Sequence, residues 1–116
     1  MPKQHEKLLV DMRKAGLAVS SFVQGKSLAD YSKDLLVRSA VERQLEILGE
    51  AVRQLRDLDP VLVARVSEHQ RIIAFRNILA HGYDVLDENI VWQVVSEKLP
   101  VLLREVDVLL AELGMT

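Results

Sequence analysis

The sequence predicts an all-α protein, an up-and-down bundle of four to five helices. Three observations carry this. Apolar residues recur at three- and four-residue steps along most of the 116 residues. Five Gly and three Pro are too few for a turn-rich all-β fold. The interruptions coincide with helix start and stop signals.

The first helix is expected from about Gln4 to Gln24, with Leu8, Leu9, Met12, Val19, Phe22 and Val23 on one broad stripe. Gly25-Lys26 breaks it. Ser27 with Asp30 resembles an N-terminal capping pair for a short turn. A long helix follows, from about Lys33 to Arg56, with Leu36, Ala40, Val41, Leu45, Leu48, Val52 and Leu55 inside. Gly49 within it costs roughly 1 kcal/mol relative to alanine, which points to close helix packing there. Asp59-Pro60 is an N-cap followed by proline in the first turn and opens a short helix to about Val66. Ser67 is placed to cap the next helix, which carries Ile72, Ile73, Phe75, Ile78 and Leu79 and ends near His81, before Gly82. Asp87 caps the last helix, Glu88 to about Leu113, which Pro100 should bend or split. Residues 1–116 form one domain, without repeat or linker.

The composition excludes several functions. A 49% hydrophobic content excludes disorder, and 28% charged residues gives a solvated surface. No apolar run approaches the ~18 residues of a membrane span, so no membrane partner is expected. The polar start, with no apolar run behind it, indicates no signal peptide and a cytoplasmic location. Without cysteine there are no disulfides or thiolate metal sites, and three scattered histidines make zinc an unpromising cofactor. The net charge of −2 excludes a general nucleic-acid coat, so any RNA contact must be local.

The most informative segment is Arg76-Asn77-Ile78-Leu79-Ala80-His81-Gly82-Tyr83. Arginine brings a permanent charge in a fork that fits phosphate, and histidine exchanges protons near neutral pH. Together they make the smallest kit for cleavage of a phosphodiester with no metal and no cofactor. A base removes the 2′-proton, the 2′-oxygen attacks the adjacent phosphorus, and an acid protonates the leaving 5′-oxygen. Arg76 would offset the charge growing on the phosphoryl oxygens. One histidine cannot easily be acid and base in the same step, whereas a symmetric homodimer brings two copies of the site together. Asn77 shares a helix face with His81 and could orient the imidazole or contact a phosphate. Arg76 and His81 point roughly 140° apart on an ideal helix.

The same residues also admit a plain reading: His81 complementing the negative end of its helix, Tyr83 covering the core edge. His5 falls on a terminus expected to fray. His69-Gln70-Arg71 looks like a solvated helix start. Glu42, Arg43, Glu46, Glu50 and Arg53 form a charged band, either solvated or facing the motif or a partner subunit. Trp92 is expected as a core or interface anchor.

Three segments resemble the HEPN superfamily, most closely its HepT branch. The first is the Arg-x4-His-x-Tyr motif itself. The second is Arg43-Gln44-Leu45-Glu46-Ile47-Leu48-Gly49-Glu50-Ala51 of the long helix. The third is the stretch from Ile90-Val91-Trp92 through Lys98-Leu99-Pro100. The resemblance implies a dimeric helical bundle with a ribonuclease site at the dimer interface, Arg76 and His81 being catalytic and Asn77 supporting. It further implies a toxin of a toxin–antitoxin pair, silenced when a minimal nucleotidyltransferase of MntA type adds AMP to Tyr83. The alternative is a non-catalytic helical binding module that partners a nucleotidyltransferase.

Overall fold

A computed structural model describes residues 2–81 and 86–114 of the chain. Most of the described residues are helical, with no strand among them. The elements are α1 (Pro2–Val23), α2 (Leu28–Lys33), α3 (Leu35–Leu58), α4 (Pro60–Val63), α5 (His69–His81), α6 (Glu88–Gln93), a π-helical turn (Val94–Lys98) and α7 (Leu99–Glu112).

Local chemistry explains most boundaries. Gly25, at φ 76°, lets the chain turn out of α1. Ser27 and Asp30 form a complete reciprocal capping box on α2. Asp34 caps α3 by accepting from the Val37 N–H, so the long helix starts two residues later than the periodicity suggests. Asp59 accepts from the Leu62 N–H and opens α4, and Asp87 accepts from the Asn89 N–H and opens α6.

The core lies between α1 and α3, with α5 laid on α3 and α7 on α1. Leu9, Met12, Val19, Val41, Val52, Leu55 and Val106 are fully enclosed there. At Gly16 an added Cβ would stand 2.7 Å from a methyl of Leu103, so the small residue lets α7 approach α1.

Three expectations are corrected. His5 does not fray: it is 5% exposed, and its Nε2 lies 3.0 Å from the Asp59 carboxylate, joining the start of α1 to the α3–α4 corner. Leu36 is 80% exposed, while its neighbour Val37 packs against the core, so the interior face of the first turn of α3 lies one residue further on. Ser67 does not cap α5; its hydroxyl and backbone N–H both donate to Glu105 of α7. Pro100 stands in the first turn of α7, and a π-helical turn sets that helix apart from α6. Lacking an N–H, it follows a turn that widens, so that the Leu99 N–H reaches the carbonyl of Val94 five residues back.

Candidate active site

The motif helix α5 presents two faces. Arg76 turns inward to α3, its side chain 25% exposed. Asn77, Ile78 and His81 turn outward, all exposed, with Ile78 at 45%. This is the divergence that helical geometry demands of residues five apart. His81 is the last residue of α5. Gly82 to Val85, with Tyr83 and Asp84, lie outside the described residues. Asp87, the other carboxylate after the motif, is committed to capping α6.

The setting of Arg76 is built by α3. Gly49 has no side chain there, and a Cβ at that position would fall 2.4 Å from the Cβ of Arg76. At the next residue of α3, Glu50 Oε1 lies 3.3 Å from Arg76 Nη2. Arg76 Nη1 donates to Asn77 Oδ1 at 3.2 Å. Its Nε is buried with no hydrogen-bond partner among the described residues. Glu50 is itself clamped: Arg53 donates to its two oxygens at 3.0 and 2.7 Å, and Gln54 donates at 3.1 Å. The Arg53 and Gln54 hydrogen bonds, with the charges of Arg53 and Arg76 behind them, hold the Glu50 carboxyl down at about 2 against partial desolvation.

A polar groove of about 230 Å³ opens where α1, α3 and α5 meet, with Arg76, Glu50, Gln54, Arg43, Glu46, Lys7 and Asp11 on its walls. Of the charged band read from the sequence, Arg43, Glu46 and Glu50 line it, while Arg53 reaches it through Glu50. Lys7 and Asp11 of α1 pair with each other at 2.8 Å on the same groove, and no sequence signal ties α1 to the motif. A larger cavity of about 450 Å³, floored by Ile72, Phe75, Val94 and Leu102, does not include Arg76. Its rim carries Glu68, which adopts φ 56° and pairs with Lys98 and Arg71.

An all-helical bundle that carries an arginine in a polar groove and a histidine at the end of the same helix is a composition suited to phosphodiester chemistry. A family model described as Ribonuclease HepT-like matches residues 12–109. The chain therefore belongs to the HepT-like ribonuclease family, of HEPN type, and its class of enzyme is ribonuclease. It is 32% identical over 84 residues to "Putative RNase TTE0752" of Caldanaerobacter subterraneus, covering 72% of this chain and 74% of the relative. It is 29% identical to "Putative RNase MJ1380" of Methanocaldococcus jannaschii, covering 86% of this chain and 91% of the relative. It is 28% identical to "Probable ribonuclease HepT" of Thermococcus cleftensis, covering 88% and 92%. No solved structure matches the chain significantly. Among the described residues, no helix is long and apolar enough to cross a membrane.

Proposed function

We propose that the protein is a metal-independent endoribonuclease whose site forms between two copies of the chain, with Arg76 and His81 as catalytic residues and Asn77 supporting them. The carrying observation is the split of α5. Arg76 is held against its own chain, while His81 stands exposed beside Asn77 and the apolar Ile78. A second copy docking on that outer face covers Ile78 and brings a second histidine. One imidazole then takes the 2′-proton, the 2′-oxygen bonds to phosphorus, and the bond to the 5′-oxygen breaks. The other imidazole protonates that oxygen, leaving a 2′,3′-cyclic phosphate and a 5′-hydroxyl. Arg76 stabilises the phosphoryl oxygens.

The family further supports a role as the toxin of a toxin–antitoxin pair, with a minimal nucleotidyltransferase of MntA type as the neutralising partner and Tyr83 as the residue that receives AMP. A bulky anion two residues from His81 would occupy the place of the RNA phosphate. The ion pair of Arg76 with Glu50 favours a second reading, a non-catalytic helical module that partners a nucleotidyltransferase. RNA cleavage by the purified protein without divalent metal separates the two. His81→Ala is expected to lower the rate roughly 10²–10⁴-fold; undiminished cleavage by that variant would overturn the ribonuclease site.

A further inference from the structure

We infer that Glu50 is a positioning residue for Arg76, and that Arg53 keeps Glu50 from neutralising it. This rests on the reading of Arg76 as the group that contacts the RNA phosphate. An arginine side chain has four rotatable torsions and, on a free surface, samples many positions. Here it is fixed at both ends. Its Cβ lies over the bare backbone of Gly49. Its Nη2 faces Glu50 Oε1 at 3.3 Å, and its Nη1 is tied to Asn77 Oδ1.

Glu50 is suited to the task because it does not move freely. Both of its oxygens are engaged from within α3, by Arg53 at 3.0 and 2.7 Å and by Gln54 at 3.1 Å. The shorter contacts belong to Arg53, the longer one to Arg76. Glu50 therefore behaves as a fixed post belonging to α3, with Arg76 leaning on it. A lone carboxylate would cancel the charge that the phosphate needs. Both Glu50 oxygens already accept from Arg53, which also donates to Asp57 at 3.0 Å, so Arg76 shares the carboxylate at the longer distance and the second hydrogens of its Nη1 and Nη2 remain for a phosphate. The arrangement orients Arg76 without consuming it.

The test is steady-state cleavage of a short single-stranded RNA by the purified full chain, with helicity checked for each variant. Misplacing a reacting group by about 1 Å costs roughly 10²-fold, so Glu50→Ala is expected to lower kcat by about that factor without raising KM, since a repulsive charge has left the groove. Glu50→Gln, which keeps an acceptor for Arg76, is expected to recover part of the loss. Arg53→Ala is expected to raise KM instead, because Glu50 then pairs fully with Arg76. A Glu50→Ala kcat within twofold of the unaltered chain, beside an inactive Arg76→Ala, overturns the positioning role alone. An Arg76→Ala variant that cleaves normally overturns the ribonuclease reading of Arg76 and the inference with it. Should Glu50→Ala fail to fold, the arginine side-chain 15Nε spectrum of Glu50→Gln decides. The Arg76 resonance, identified by its loss in Arg76→Ala, is expected to broaden; an unchanged resonance refutes the role.

Discussion

Arg76 is seated on the backbone of Gly49, closely enough that a methyl group at position 49 would stand 2.4 Å from its Cβ and 2.8 Å from its Cγ. The first of these atoms is next to the backbone of α5 and cannot swing away. Gly49 thus sets the distance between the long helix and the motif helix.

Gly49→Ala accordingly sets two effects against each other. Alanine improves helix propensity by about 1 kcal/mol, while forcing α5 outward costs about 1–3 kcal/mol. A net loss of stability is expected, read as a lower urea midpoint, together with loss of RNA cleavage. An alanine variant as stable as the parent would mean that α5 is free to shift.

How far the sequence discloses the fold depends on the range of the interaction. Asp59-Pro60, Asp87 and the Ser27–Asp30 pair act on backbone within three residues, and each cap is present as read. The stripes of α1 and α3 are legible because periodicity defines a face. Periodicity does not say what covers that face, so Leu36, on the apolar stripe of α3, lies exposed. His5 with Asp59 and Ser67 with Glu105 are contacts 54 and 38 residues apart, beyond any local signal. The site follows the same rule. The spacing of Glu46, Glu50 and Arg53 marks one side of α3, but only the packing of α5 makes Glu50 the neighbour of Arg76. Tyr83 falls outside the described residues, and its role stays with the proposal.

His5 should behave as a core residue. Its ring is buried, and it bonds the same carboxylate group that caps α4 through its other oxygen. His5→Ala is expected to cost about 1–3 kcal/mol, measurable by thermal or urea unfolding. A change below a few tenths would show that the start of α1 adds nothing to the fold.

Tyr31 is fully enclosed and packs against Trp92, with ring centroids 5.3 Å apart and the planes tilted by 41°. Its hydroxyl has no partner among the described residues, and burial, reinforced by Glu42, raises its pKa far above the ordinary phenol value. Tyr31→Phe keeps the ring and deletes a buried unsatisfied group. It is expected to be neutral or stabilising by up to about 1 kcal/mol. A clear drop in melting temperature would indicate a partner for the hydroxyl.

The Glu50 contact should survive mild acid. Its folded pKa of about 2 lies below the ordinary 4.5, so its stabilising effect is full above 4.5 and disappears as pH falls through about 2. Carboxyl-detected NMR titration is expected to place its midpoint near 2. A midpoint near 4.5 would mean that Arg53 and Gln54 do not hold it in solution.

Light scattering at micromolar concentration is expected to return twice the chain mass of 13.1 kDa. Ile78→Glu, which puts a charge on the outer face of α5, is expected to return the single mass and to lose cleavage while leaving helicity intact. A monomeric parent that still cleaves RNA would place the whole reaction within one chain.

The wide turn before Pro100 governs the winding of the last helix. Val91, Val95 and Leu99 are buried at successive steps of four. On a regular helix each such step drifts by roughly 40°, so a stripe of this kind walks off the core. A turn of larger circumference rotates less per residue and takes back part of the drift. Residues on either side thereby keep separate appointments, α6 with α2 and α7 with α1. Deleting one residue between 94 and 98 would close the wide turn into ordinary winding and leave Leu102, Val106 and Leu109 facing α1, whereas ordinary winding at the present length would swing them by roughly 100°. The wide turn thus absorbs one surplus residue locally, and the two halves of the helix keep their faces.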